Sequence, residues 1–547
     1  MLDIACYRYA KLAVPVFLLF GSVPQPLPLA TPLHEQATHV MNRMGYGGTP
    51  SELQAITSQD MLTNWIQDQI HSPLAPPPAA LTNAVTALLG STPVIPPVTS
   101  PAASPVSHNW RKDALARYRI LMAAFQPQQL RERMTNFWQT LFNTANRDLV
   151  TFYLANQHSI GQAELAATYA QYREYEAFRS AALSTFKSVL ETSIHSPPMR
   201  IYLDMHVNTS VAQPNENYAR ELLELHTFGP YDVAGNGEPN YSQQDIRNLA
   251  SLLVGLQVET GVNSTHAAVE NFPIDQPPAI TLFAGRAPRI NPVSIPSSVN
   301  SLQKIDMILS HIVEQNQTSD YICRRLIREF VGDETSTQNL LLACKAQWGM
   351  EGDIQAVLDV ILSSAEFLDN PNHRRSMIES PFESAVSQIR NLGINPPTAA
   401  SNQSTPYTHL FNSLEFMGQS LFEFPSPDGY PMDSFLQAGS HRARLRFRSA
   451  LWLYPSEGQM QPFAQSFNPP LSLDNPATIP QTVLDHLYPN DYVSDDLMAA
   501  ADILTRSVVT GNVTAWPAQS ATGLDTRDNR FSAMMSYIAG MTQAYVK

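Results

Sequence analysis

From Pro214 to Gly229 the chain reads Pro-Asn-Glu-Asn-Tyr-Ala-Arg-Glu-Leu-Leu-Glu-Leu-His-Thr-Phe-Gly, a segment dense in groups that can do chemistry. Wound as a helix at 100° per residue, Asn217, Arg220, Glu221 and Glu224 fall in one sector of about 100°. Tyr218, Ala219, Leu222, Leu223 and Leu225 fall on the other side. Two carboxylates three residues apart can act as general acid and base, or share a divalent metal with an amide oxygen. The catalytic candidates are therefore Glu221, Glu224, Asn217 and Arg220. The metal candidates are Glu221 and Glu224 with Asp204 and His206, which stand two apart just upstream; Asp245 is a further acidic residue downstream. The competing reading is a solvated face, or an Arg–Glu network that orients helices. Glu216–Arg220 and Arg220–Glu224 are both i,i+4 pairs, worth only about 0.2–0.5 kcal/mol each when exposed. His226 falls with the apolar residues and reads as a core histidine rather than a partner of the carboxylates.

Common reaction signatures are missing. No Gly-x-Ser-x-Gly, P-loop, dinucleotide fingerprint or His-Glu-x-x-His occurs. Arg442, Arg444, Arg446 and Arg448 alternate after His441, a spacing that spreads them around a helix instead of forming one anion clamp.

The elements that must carry these residues read as helices almost throughout. Thr49-Pro50-Ser51-Glu52 is a helix start, with Thr49 as cap and Pro50 at the first turn. Leu130, Met134, Phe137, Trp138 and Leu141 form one apolar stripe within Gln128–Phe142, so Trp138 reads as core. Glu174–Ser193 predicts a single helix ended by Ser196-Pro197-Pro198. A long helix is expected after Pro214 and another after Tyr241, where Ser242 and Asp245 form a capping box. Further stripes are Ile305/Ile308/Leu309/Ile312, Ile322/Leu326/Ile327/Phe330, and Ile354/Val357/Leu358/Ile361/Leu362 capped by Asp353. Helices are also read over Pro381–Leu392 and Thr408–Leu421, and a final pair within 490–545. The expected class is all-α, a bundle-like array of many helices with long Pro-rich loops and at most a few short strands, one of them around Ile280–Phe283.

Composition bounds the function. The chain has 547 residues, 44% of them hydrophobic and only 15% charged, with 43 prolines and a net charge of −14. Acidity of this size argues against a nucleic-acid partner, which selects a basic face. Arg8 and Lys11 precede an apolar run, Leu12 to Val23, too short to span a bilayer and suited to a signal-peptide core. Residues 1–30 are accordingly read as a signal peptide, the protein as exported to the periplasm or beyond, and no later stretch as a transmembrane anchor. Cys323 and Cys344 are either two buried thiols or one disulfide, the latter requiring an oxidising compartment.

The segment Pro214–Gly229 closely resembles the signature of a bacterial family catalogued as domain of unknown function 1800. Tyr241-Ser-Gln-Gln-Asp245-Ile-Arg resembles the start of that family's next helix. His39–Ala55, Phe137-Trp138, Ser196–Asp204, Arg325–Val331, Gly352–Leu368 and Met417–Pro425 resemble other blocks in the family's order. The resemblance implies one helical domain over 31–455, with a Pro-rich loop at 73–106 and an irregular segment at 255–300. Residues 456–547 are left as a C-terminal loop and helical extension packed on it. The departures are specific: Gln139-Thr-Leu-Phe-Asn143 stands where the family has a His-rich run, Asn271–Gln276 lacks its His-Asp block, and Tyr430 replaces its usual Trp. Family members are typically exported and often encoded beside an exported sulfatase-like family, which implies a shared process and names no reaction. With candidate histidine ligands missing, the expectation is a non-catalytic scaffold or binding module acting with a secreted partner. The alternative is an exported enzyme, such as a hydrolase, that uses the polar face of 214–229 either with a divalent metal or by acid/base chemistry.

Overall fold

The computed structural model describes residues 32–89, 112–156, 158–232, 237–259, 268–272, 279–287, 289–332, 337–391, 393–396, 414–415, 417–430, 464, 471–518, 525–538 and 541. The signal-peptide segment, the Arg442–Arg448 series and most of the Thr408–Leu421 helix lie outside them.

Among the described residues the architecture is mostly α, with two two-stranded antiparallel ribbons. α1 (Pro32–Met44) leads through the Gly45–Gly48 turn to α2 (Pro50–Ala55) and α3 (Gln59–His71). Thr49 caps α2 as its sequence demands: its side chain accepts from the Glu52 N–H while Glu52 accepts from the Thr49 N–H. α4 (Ala79–Leu89) lies in the Pro-rich region and packs on α5 (Lys112–Phe125), which turns into α6 (Gln129–Leu141). Trp138 of α6 is wholly buried, and its indole N–H donates to the Ala182 carbonyl at 3.0 Å.

α7 (Asn146–Ala155) and α8 (Ile160–Ala181) form an antiparallel hairpin packed on α6. The single helix expected over Glu174–Ser193 is in fact two: α8 stops at Ala181, and α9 (Phe186–His195) starts anew. The break has a tertiary cause. Thr185 pairs with Asp353, the Phe186 N–H bonds the Gly352 carbonyl, and the Ile354 N–H bonds the Ser184 carbonyl. Backbone groups committed to that neighbour cannot continue a helix, and Thr185 caps the new one from its side chain. α10 (Pro197–Tyr202) follows, with Ser196 as cap and Pro197 in its first turn.

Next come α11 (Asn217–Glu221), which passes directly into a π-helical turn at Leu222–Thr227, and α12 (Gln243–Leu252). β1 (Leu256–Val258) pairs with β2 (Ala268–Glu270), and β3 (Ile280–Leu282) with β4 (Val293–Ile295). The strand read near Ile280–Phe283 is present, and sequence missed the other three. α13 (Ser301–Glu314), α14 (Asn316–Phe330), α15 (Gln338–Ala346), α16 (Ile354–Leu362), α17 (Ala365–Leu368) and α18 (Pro381–Asn391) complete the body. All three apolar stripes read on α13, α14 and α16 are buried. They join Trp138, Phe186 and Leu222 in one main core. Cys323 of α14 and Cys344 of α15 are joined in a buried disulfide, so the two-thiol reading gives way to its alternative.

α19 (Ile479–Leu487), α20 (Ser494–Thr505) and α21 (Arg527–Ile538) pack around a core of their own. They meet the body through His486, whose ring nitrogen donates to the Asn391 carbonyl at 3.1 Å, and through an Arg375–Asp491 ion pair. Charge is also buried in the body. Arg133 lies between Glu329 and Glu383, 2.5 Å from each, and Arg179 meets Glu132 at 2.6 Å. No helix among the described residues is long and apolar enough to cross a membrane.

Candidate functional site

The signature segment is not the uniform α-helix assumed from its spacing. After Glu221 the turn widens: the Phe228 N–H reaches back to the Leu223 carbonyl at 3.0 Å, and the Thr227 hydroxyl donates to the Leu222 carbonyl at 2.7 Å. π-Turns of this kind leave carbonyls without regular partners and occur often at functional sites. Five residues beyond Leu225 stands Pro230, which has no N–H to offer. The Tyr321 hydroxyl of α14 supplies the bond instead, donating to the Leu225 carbonyl at 2.7 Å. Gly229, at φ +72°, ends the segment, and a Cβ there would stand 3.3 Å from the Tyr321 ring. The Asn240 amide then donates to the Phe228 and Gly229 carbonyls at 3.0 and 3.1 Å. Partners from two distant elements thus hold the irregular turn.

The expected amphipathic split survives the irregularity. Tyr218, Ala219, Leu222 and Leu223 are buried, whereas Arg220, Glu221 and Glu224 are half-buried and Asn217 is exposed. The polar residues nevertheless divide into three groups. Asn217 turns to Asp204, donating from its amide at 2.9 Å. Arg220 pairs with Glu216 at 3.1 Å and donates to Gln243 at 3.3 Å, tying α11 to the start of α12. Of the two i,i+4 pairs only this one forms, because Glu224 accepts from the Tyr241 hydroxyl at 3.1 Å. Glu221 feels the charges of Glu224 and Asp428. Burial, and then the charges of those two carboxylates, push its carboxyl up, against the opposing charge of Arg220.

The proposed metal set is not assembled. His206 donates to the Arg200 carbonyl at 3.0 Å and stands edge-on to Phe152, which fixes it as a structural residue away from Glu221 and Glu224. Among the described residues no three histidine, cysteine, aspartate or glutamate side chains are placed to hold a metal ion. Asp245 is taken by structure as well. One oxygen accepts from the Ser242 N–H and hydroxyl, and the other from the Phe283 N–H at 2.6 Å. His226 is buried as expected, its ring centroid 4.5 Å from that of Phe142 at the end of α6. Burial drives it down to about 3, with the Arg325 charge acting in the same direction, so it stays a neutral imidazole.

What completes the polar face comes from elsewhere. Asp428 is the exposed residue of a turn at 426–429, where the Gly429 N–H bonds the Ser426 carbonyl and Gly429 takes φ +90°. Asn143, just past α6, fastens that turn by donating to the Pro427 carbonyl at 2.7 Å. Burial, and then the Asp148 charge, push the Tyr202 hydroxyl up to about 12; Arg147 opposes them, and Glu221 and Asp428 add smaller effects in the raising direction. The Arg325 guanidinium stacks over the Tyr321 ring at 4.6 Å. Sequence reasoning missed Asp428, Tyr202 and Tyr321. No local spacing joins any of the three to Glu221. Tyr241 did carry a signal, since it stands at the head of the second resembling block.

Residues 39–524 match the model of a family described as a protein of unknown function, DUF1800. No curated protein and no solved structure matches the chain.

Proposed function

The chain belongs to the DUF1800 family, whose description names no activity, and from that premise we propose that it is an exported, non-catalytic binding module acting with a secreted partner. Its recognition surface is the Glu221–Glu224–Asp428 face with Tyr202 and Tyr241. The observation that carries this reading is the separation of the two nearby histidines from that face: His226 is packed on Phe142, and His206 on Phe152. A hydrolytic reading based on Glu221, Glu224 and a histidine lacks its third member. The carboxylates instead stand half-exposed between tyrosines, an arrangement suited to holding a ligand. Export draws support from the Cys323–Cys344 disulfide, because such bonds persist in oxidising compartments. It also draws support from the apolar Leu12–Val23 run.

An exported sulfatase-like protein is the partner to test first. The two proteins are co-expressed with their leaders, and complex formation is measured by light scattering after gel filtration. Glu221→Gln with Asp428→Asn should abolish the complex while leaving the melting temperature unchanged. A complex indifferent to that pair of substitutions would refute the surface.

One observation favours a second reading. The raised carboxyl of Glu221, beside two further carboxylates, is what an acid/base enzyme needs. Turnover of any substrate that vanishes in Glu221→Gln would establish it. Metal analysis of the mature protein and of the Glu221→Gln/Glu224→Gln variant separately tests a divalent cofactor.

A further inference from the structure

The C-terminal unit of α19–α21 is held on the body by a narrow set of groups. Among the described residues only Ile394 packs against both the unit's hydrophobic core and a core of the body. Polar groups supply the links around it. Asp491 pairs with Arg375, and the same guanidinium lies over the Tyr488 ring at 5.4 Å. The Asn490 amide donates at 3.3 Å to Glu35, which Arg374 also holds at 2.7 Å. Arg375 stands at φ +50°. A left-handed backbone at an arginine is strained and persists where its surroundings fix it. Here the fixing groups, Asp491 and Tyr488, belong to the other side of the contact, so separation relieves the strain. A contact with so little shared apolar packing leaves relative motion open.

Two imidazoles cross this contact in opposite directions. His34, on α1 of the body, bonds the Asp485 carbonyl of the unit, and His486, on α19 of the unit, bonds the Asn391 carbonyl of the body at 3.1 Å. Their ring centroids stand 6.3 Å apart, so charging both sets two cations side by side. The Asp485 carboxylate acts on His34, and His34 acts on His486, while Glu35, Arg374, Arg375 and Asp491 engage one another as above. Burial lowers His486 to about 4, with the His34 charge acting in the same direction, against its bond to Asn391. Burial also lowers His34, against the Asp485 carbonyl and carboxylate. The docked unit thus holds both rings neutral, and water returns them to the ordinary 6.5 once they are released. Docking is at full strength above pH 6.5 and weakens as the pH falls toward 4. At pH 5 His486 alone lowers the ratio of docked to released unit by about 30-fold, and His34 adds to it. Asp485 opposes them: burial raises its carboxyl, against its bonds from Tyr492 and Gln481 and the His34 charge, so its protonation favours docking. It takes up one proton where the imidazoles take up two, and Tyr492 and Gln481 lie in the unit and stay with it on release.

We propose that the α19–α21 unit is an acid-released latch: proton uptake by His34 and His486 separates it from the body and uncovers Ile394 and the start of α1. The device is independent of the Glu221–Glu224 face and of its reading as a recognition surface.

The test is double electron–electron resonance on the full mature chain at pH 7.5 and pH 5. Nitroxides are carried by Asp60→Cys and Asn512→Cys, at exposed positions of the body and of the unit. A second distance should grow at pH 5, its ratio to the docked distance rising by about 30-fold or more. His34→Asn/His486→Asn keeps an N–H donor at each position and cannot gain charge, so it should hold the docked distance at both pH values. Should that pair of substitutions release the unit already at pH 7.5, His486→Asn alone carries the comparison, its acid response smaller than the parent's by about 30-fold. Arg375→Gln removes the pair with Asp491 and leaves both imidazoles, so it should favour release at both pH values with the pH dependence kept. Far-UV circular dichroism checks that the helices persist at pH 5. A single docked distance in the parent at pH 5, melting of helix in place of separation, or an acid response undiminished in the histidine variants would each overturn the proposal.

Discussion

Glu174 gives the sharpest test of the buried polar framework behind the Glu221–Glu224 face. Glu174 is 6% exposed, and among the described residues no cation pairs with its carboxyl. It accepts from the Ser196 hydroxyl at 2.5 Å and the Thr144 hydroxyl at 2.8 Å. Burial outweighs those two bonds and raises it from 4.5 to about 7. The folded state thus holds the proton more tightly than the unfolded chain. The resulting stability is complete below pH 4.5 and is lost as the pH rises through 7. Each tenfold in proton affinity is about 1.4 kcal/mol, so the loss approaches about 3 kcal/mol by pH 9. Glu174→Gln keeps the shape and an acceptor and removes the charge. Urea denaturation at pH 5 and pH 9 should show the variant within about 1 kcal/mol of the parent at the lower pH. At the higher pH the variant should be more stable by about 2–3 kcal/mol. If parent and variant lose stability in parallel between those pH values, the carboxyl is not the buried acid described here.

Three other perturbations test separate parts of the structure. Cys323→Ala/Cys344→Ala should cost about 3 kcal/mol, as expected for opening a loop of this length. The non-reduced parent should show no alkylation at either position by mass spectrometry. Arg133→Met removes the guanidinium that pairs with both Glu329 and Glu383 and should cost about 3–5 kcal/mol, measured by chemical denaturation. Tyr321→Phe removes the donor to the Leu225 carbonyl and should cost about 1–2 kcal/mol. That loss should be accompanied by faster amide exchange confined to 222–229.

The regular part of the fold was legible because it follows from periodicity. The stripes on α13, α14 and α16 are buried where their spacing puts them, and Thr49, Ser242 and Asp353 cap the helices they precede. Legibility failed where a distant segment competed for backbone groups. Nothing local in Glu174–Ser193 says that Gly352 and Asp353 will claim Phe186 and Thr185, so one helix was read where two exist. The same holds for the signature. Its composition favours a helix, but whether the turn tightens or widens depends on Thr227, Tyr321 and Asn240 competing for its carbonyls.

The site was half legible for a related reason. A helical wheel groups residues on one element, and it placed Glu221 and Glu224 on one polar face. It also grouped Asn217 and Arg220 with them, because angle alone carries no information about what lies opposite. Opposite Asn217 is Asp204, and opposite Arg220 are Glu216 and Gln243; each satisfies its neighbour and withdraws it from ligand binding. Opposite Glu221 is Asp428, which satisfies nothing and adds charge. The residues left reactive are those whose tertiary neighbours fail to match them. Mismatch depends on two segments about 200 residues apart in the chain. The turn carrying Asp428, held at the Pro427 carbonyl by Asn143, is the point at which this mismatch can be altered at an exposed side chain. Asp428→Lys should pair with Glu221 and bring its carboxyl back toward the ordinary range. Carboxyl titration by NMR would read the effect. A Glu221 carboxyl that titrates unchanged in that variant would show that the two segments do not meet as described.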